Sequence, residues 1–157
     1  MNKKVKTLKK LVSIRTSLRK RKKKVVFTNG CFDILHVGHI IYLRKAKSYG
    51  DILIVGLNRD SSVRRIKGPM RPLLSERDRA EMLSELACID YIVLFSDDTP
   101  QRLIATLKPD VLVKGSDWSL DRIVGRDVLA QYGGKVKRVR LIKGKSTTNI
   151  IKKIKRL

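Results

Sequence analysis

Val25-Val26-Phe27-Thr28-Asn29-Gly30-Cys31-Phe32-Asp33-Ile34-Leu35-His36-Val37-Gly38-His39 is the stretch around which the rest of the chain falls into place. An apolar run enters Asn29-Gly30, crosses a polar segment and ends on two histidines three residues apart, the only two in the sequence. Val25–Phe27 reads as a short buried strand closed by an Asn-Gly turn. From Gly38 the spacing of Ile40, Leu43 and Ala46 predicts a helix to about Tyr49, stopped by Gly50-Asp51.

The alternation continues toward the C-terminus. Ile52–Leu57 is a continuous apolar strand of the kind a parallel sheet buries on both faces. A short helical turn after Asp60 and the loop 67–72 lead to an amphipathic helix over Glu76–Cys88, with Ala80, Leu83, Leu86 and Ala87 inward. Tyr91–Phe95 reads as a third inner strand. Thr99-Pro100 reads as a cap and first-turn proline for a helix to about Leu107. Val111–Val113 is a fourth strand, a helix spans roughly Gly125–Tyr132, and Val136–Ile142 alternates as an edge strand with one wet face. Ser146-Thr147-Thr148 caps a last helix carrying Ile150, Ile151 and Ile154. Strands alternating with helices predict an α/β domain, a Rossmann-like doubly wound parallel sheet of about five strands.

At 157 residues, 42% hydrophobic and 32% charged, the chain suits a single globular domain rather than disorder. No apolar run approaches the roughly 18–20 residues of a membrane helix. The basic N-terminus lacks the apolar stretch of a signal peptide, so the cytoplasm is the expected compartment. Cys31 and Cys88 have neither zinc-ligand nor disulfide spacing and are expected to be reduced thiols. Of the net charge of +23, twelve cations fall in residues 1–24, which hold no acid. That segment is expected to form a basic lead helix ahead of a 25–157 domain, its cations mostly a solvated face. A charge of this size favours phosphate-bearing partners. With aromatic residues at only 5% and no aromatic-rich strand for base stacking, a nucleic-acid-binding module is the weaker reading.

Ligands of such folds bind at the carboxyl ends of the strands. Those ends carry Thr28 to His39, Asn58 to Asp60, Ser96 to Thr99, Lys114 to Trp118 and Lys143 to Thr148, where the polar residues gather. On a helix N-terminus, His36 and His39 would share one side. Free N–H groups and the positive dipole end would attract an anion there, and Gly38 lets it approach. Two imidazoles at such a place suit charge developing on a phosphoryl group. The same pair could instead be metal ligands, with Asp33 near, or structural histidines.

These residues resemble a known family. Thr28-Asn29-Gly30-Cys31-Phe32-Asp33 leading into His36-x-Gly38-His39 is similar to the signature of the cytidylyltransferase-like nucleotidyltransferases. Ala46-Lys47, Leu57-Asn58-Arg59-Asp60, Lys67-Gly68 with Arg71-Pro72, Asp98-Thr99-Pro100, Lys114-Gly115 with Asp117, and Ser146 to Ile151 extend the likeness in order over about residues 24–154. The set most resembles the members that transfer the adenylyl group of ATP to D-glycero-β-D-manno-heptose 1-phosphate, giving ADP-heptose for lipopolysaccharide. A close alternative is a cytidylyltransferase acting on glycerol 3-phosphate.

The resemblance implies roles. His36, His39 and Lys47 would be catalytic. Thr28, Asn29, Gly30, Phe32, Gly38, Arg79, Lys114, Gly115, Asp117, Ser146, Thr147 and Thr148 would hold the nucleotide, and Asp33 and Asn58 the sugar phosphate. Mg²⁺ would arrive with the triphosphate rather than in a protein cage. A homodimer and a separate sugar kinase supplying the acceptor are also implied, whereas nucleic acid and membrane are not. The basic lead segment lies outside the family pattern, and its removal up to residue 20 is expected to spare the chemistry.

Overall fold

The computed structural model describes residues 2–156. Five parallel strands run in the order β3-β2-β1-β4-β5, with β1 at Val25–Gly30, β2 at Ile52–Asn58, β3 at Tyr91–Phe95, β4 at Val111–Gly115 and β5 at Lys135–Val139. The chain winds from β1 outward to β3, returns to β4 beside β1 and continues to β5. A crevice therefore opens where the winding reverses, above the ends of β1 and β4.

The period-2 pattern divides the core. Val26, Leu53, Leu57, Val111 and Val113 point to one face, where they meet Tyr42, Leu43 and Ala46 of α2 (Val37–Lys47) and Ala80 and Leu83 of α4 (Glu76–Ser84). Val25, Phe27, Ile54 and Leu112 point to the other face. There they meet Leu11 and Leu18 of α1 (Leu8–Lys20), Leu103, Ile104 and Leu107 of α5 (Gln101–Leu107), and Leu129 of α6 (Arg126–Ala130). Two further helices, α3 (Asp60–Lys67) and α7 (Thr147–Ile154), border the crevice. The doubly wound reading of the sequence holds.

Several elements differ from the sequence-based expectation. Asn29-Gly30 is not a closing turn, because β1 runs on through both residues, paired with Gly56 and Leu57 of β2. Ladder pairing on a central strand outweighs the local turn preference. Thr99 does not cap α5, which begins at Gln101 behind Pro100. The helix from Glu76 ends at Ser84, leaving Ala87 exposed, and β5 stops at Val139.

β3 is an edge strand rather than an inner one, and the lead segment covers its open side. The Lys6 amide donates to the Ile92 carbonyl at 2.9 Å, and the Ile92 amide donates to Lys4 at 3.0 Å. Cover from outside the sheet explains why β3 can be as apolar as an inner strand. The lead helix is also built into the core. Arg15, itself buried, donates to Leu107 O and pairs with Asp110 at 3.0 Å, while Asp110 accepts the Val25 amide that starts β1. Burial of Leu11 and Leu18 contributes roughly 1.5–3 kcal/mol each.

Candidate active site

A cleft of about 630 Å³ lies over the carboxyl ends of the strands. Its floor is the turn between β1 and α2. Phe32 there has a left-handed backbone, φ 46°, which costs a non-glycine residue about 1–2 kcal/mol. Two contacts hold it. The ring packs over Gly30, where a Cβ would stand 3.0 Å from it, and meets His39 edge-on at 5.3 Å between centroids. Strain kept in place by its surroundings is characteristic of ligand-binding turns.

His36 occupies the N-cap position of α2 and His39 its first turn, so the two rings stack, 3.8 Å between centroids and 21° apart. Gly38 makes this stacking fit, because a Cβ would stand 2.9 Å from His36 Nδ1 and 3.2 Å from Lys145 Cβ. Neither buried Nδ1 has a hydrogen bond of good geometry among the described residues, although the Ile34 backbone lies beside His39. Burial lowers His39 to about 4, helped by His36 and opposed by the Ile34 backbone. Burial also lowers His36, together with the nearby Lys145 charge. Both rings are thus neutral near pH 7, each with one N–H to donate.

Beside the pair stands the start of α7. Ser146 caps it by accepting the Asn149 amide at 3.1 Å, and Thr147 Oγ1 donates to Ile34 O at 3.5 Å, tying the helix to the histidine turn. The first turn of α7 carries no acid, and Ser146, Thr147 and Thr148 face the cleft. A helix N-terminus beside Lys145 and two imidazole N–H groups is a place for a polyphosphate.

The β4–β5 half is apolar, walled by Trp118, Ile123, Val124, Leu141 and Ile142, with Gly115 on its floor. At Gly115 a Cβ would crowd the Asp117 carboxylate and Leu141 as they now stand. Lys114 bonds Asn29, and burial lowers it to about 8, with Asp117 pulling the other way. The β2–β3 half is polar: Asn58, Lys67, Arg71, Asp98 and Thr99 line it. Burial pushes the Cys31 thiol at its floor upward, against the charges of Lys67, Arg79 and Arg71.

The structure thus gathers His36, His39, Asn29, Gly30, Phe32, Asp33, Gly38, Asn58, Lys114, Gly115, Asp117, Ser146, Thr147 and Thr148 around one cleft. Three expected residues are elsewhere. Lys47 ends α2, and eight residues of helix rise carry it about 12 Å along the axis from His39. There Lys47 Nζ bonds Asp90 at 2.5 Å and Asp51 O at 2.6 Å, at the amino ends of the strands. Arg79 is wholly buried behind the turn, donating to Cys31 O, Leu74 O, Asn58 O and Asp60. It braces the floor and does not face a triphosphate. Thr28 is buried as well, sharing a 2.8 Å hydrogen bond with the Tyr42 hydroxyl, which in turn donates to Val113 O.

Asp33 reaches the cleft lining but is committed to protein partners. It accepts from the Leu73 and Leu74 amides at 2.8 and 2.9 Å and from Arg71 Nε at 2.6 Å. Burial pushes its carboxyl up, but these bonds outweigh it and hold the group below the usual carboxylate range. Among the described residues no cluster of three or more His, Cys, Asp or Glu stands ready for a metal ion. Sequence reasoning placed Lys145 in the polar 143–148 stretch without a contact of its own, and read Leu141 and Ile142 as edge strand rather than cleft wall. Their signal was position alone, just after an edge strand and just before a helix cap.

Comparison with known proteins gives the chain a family. A family profile described as cytidylyltransferase-like matches residues 27–153. The chain is 59% identical over 153 residues to the bifunctional protein HldE of Geobacter metallireducens, covering 98% of this chain and 31% of that protein. It thus spans about a third of the length of the curated relatives it matches. It also matches the crystal structure of the lipopolysaccharide core biosynthesis protein from Thermoplasma volcanium, with a TM-score of 0.63 and 35% identity, over 77% of this chain and 98% of that one. Pantoate-beta-alanine ligase from Francisella tularensis shares the fold at a TM-score of 0.62 and 18% identity, over 98% of this chain and 78% of that one. The chain belongs to the cytidylyltransferase-like family of nucleotidyltransferases.

Proposed function

We propose that this chain transfers the adenylyl group of ATP to D-glycero-β-D-manno-heptose 1-phosphate, giving ADP-heptose and pyrophosphate. The observation that carries the proposal is the meeting of two stacked neutral imidazoles and the α7 N-terminus side by side in one cleft. The relatives named HldE and the lipopolysaccharide core biosynthesis protein favour a heptose acceptor.

A phosphate oxygen of the acceptor attacks the α-phosphorus of ATP, and the bond from that phosphorus to the bridging oxygen of the β-phosphate breaks. Pyrophosphate leaves with the electron pair. No base is needed, because the acceptor phosphate is already an anion at neutral pH. His36 and His39 donate to the oxygens of the five-coordinate α-phosphorus, where each such donor contributes about 3–4 kcal/mol to the transition state. The α7 N-terminus and Lys145 receive the β- and γ-phosphates, while Phe32 and its neighbours position the α-phosphate. The apolar β4–β5 half takes the base beside Gly115 and Asp117, and the polar β2–β3 half takes the sugar phosphate.

Mg²⁺ belongs to this reading as the companion of the triphosphate, neutralising charge on the β- and γ-phosphates. A cytoplasmic site of action, a homodimer and a sugar kinase supplying the 1-phosphate complete it. Among the described residues no helix is long and apolar enough to cross a membrane. The test is a grid of nucleoside triphosphates against sugar 1-phosphates and glycerol 3-phosphate, followed as pyrophosphate release. The expected maximum is ATP with the heptose 1-phosphate. A maximum at CTP with glycerol 3-phosphate, or no release in any cell, overturns the proposal.

A further inference from the structure

Nucleotidyl transfer between two phosphates brings two anions into contact, and their mutual repulsion must be offset on both sides of the reacting phosphorus. The triphosphate side has Lys145, the imidazole N–H groups and the α7 N-terminus. On the β2–β3 side the cations lining the cleft are Lys67, at the end of α3, and Arg71, in the loop that follows. Lys67 Nζ has no carboxylate partner among the described residues, although acids lie near. Asp98, on the same side, is taken by Arg65 at 2.7 Å, and Asp60 by Arg79 at 2.6 Å. Arg71 uses only Nε, on Asp33, so both of its Nη groups are without partners among the described residues.

Asp33 explains why Arg71 stays there. Its side chain is 1% exposed, and its two oxygens take the Leu73 and Leu74 amides and Arg71 Nε. One buried carboxylate thus pins three successive parts of the 71–74 loop to the floor of the cleft. A guanidinium anchored through Nε presents its Nη pair as a fixed fork, the geometry that suits phosphate oxygens. The Asp33 charge also offsets part of the Arg71 charge, leaving Lys67 to add the second positive group a phosphate dianion calls for.

We propose that Lys67 and Arg71 form the clamp for the acceptor phosphate, and that Asp33 is the positioning residue that orients Arg71. This rests on the reading of the cleft as a nucleotidyl-transfer site and adds which residues receive the second substrate. It replaces the role of Asp33 as a sugar ligand with one exerted through Arg71.

The test separates the clamp from the reaction. Protein saturated with α,β-methylene-ATP, which cannot be attacked with loss of pyrophosphate, is titrated with inorganic phosphate by calorimetry. Lys67→Ala and Arg71→Ala are compared with wild type and with Lys20→Ala, an exposed cation at the end of α1. The expected result is at least tenfold weaker phosphate binding in Lys67→Ala and Arg71→Ala, with Lys20→Ala unchanged and the nucleotide affinity of all within threefold. In turnover, Asp33→Asn is expected to raise the acceptor KM at least fivefold, leaving the ATP KM unchanged and the melt cooperative. Phosphate binding that is absent in wild type, or unchanged in both clamp variants, overturns the proposal, as does loss of nucleotide and phosphate affinity together. If wild type releases no pyrophosphate with any sugar phosphate yet still binds phosphate through Lys67 and Arg71, the clamp stands and the assigned reaction falls.

Discussion

His36 and His39 present two buried Nδ1 atoms without a hydrogen bond of good geometry among the described residues, at the mouth of a helix, with stacked rings and depressed pKa values. Polar groups left without partners are costly in a finished core, which marks the pair as a functional feature rather than packing. His39→Ala should therefore reduce turnover at least a hundredfold, about 3 kcal/mol of transition-state stabilisation, with an unchanged melting curve. Near-normal turnover in the folded variant contradicts the role. The pH dependence has a definite sign. Free His39 titrates at about 4, and a triphosphate beside it raises that value, so binding takes up protons. Affinity should strengthen as pH falls from just below neutrality toward about 4, with proton uptake read from calorimetry in buffers of different ionisation enthalpy. A His36→Asn/His39→Asn double variant should lose that uptake beyond the share due to the nucleotide itself. Arg79 acts at the same scale by another route. Replacing it with Met strands the Cys31 and Asn58 carbonyls and Asp60, and should lower stability by roughly 3 kcal/mol in denaturant melts.

At the scale of elements, α2 does two jobs at its two ends. Its N-terminus carries the histidines into the cleft, and its C-terminus fastens Lys47 to Asp90 and Asp51 at the amino ends of the strands. Lys47→Ala should lower the melting temperature by about 2–4 °C while kcat stays within about threefold. A collapse of kcat at normal stability would return Lys47 to the chemistry. Much of this architecture was legible in the sequence. Continuous apolar runs marked the strands, and Ser146-Thr147-Thr148 marked the start of α7, because each is a local signal. What stayed hidden depends on distant partners. Nothing local shows that Lys4 to Lys6 cover the edge of β3, or that Arg79 donates to three carbonyls and Asp60. Likewise, the motif that singled out Asp33 could not reveal that its oxygens were already taken by the 71–74 loop.

For the whole molecule, the lead segment is part of the fold. Removing residues 1–20 uncovers the β3 edge and takes away Leu11, Leu18 and the Arg15–Asp110 pair. The loss is on the order of 5 kcal/mol, comparable to the whole stability of many domains. The truncated chain should lose its cooperative thermal transition, and a native-like melt would show that α1 is an accessory after all. The cleft joins the first crossover to the last helix, so the reaction depends on both ends of the chain being in place. The most direct measurement is the fate of label from ATP in the presence of the heptose 1-phosphate. Label in the α-phosphate should appear in the nucleotide sugar, and label in the γ-phosphate only in pyrophosphate. Label from the γ-phosphate on the acceptor, or released as orthophosphate, would mean phosphoryl transfer and would contradict the account.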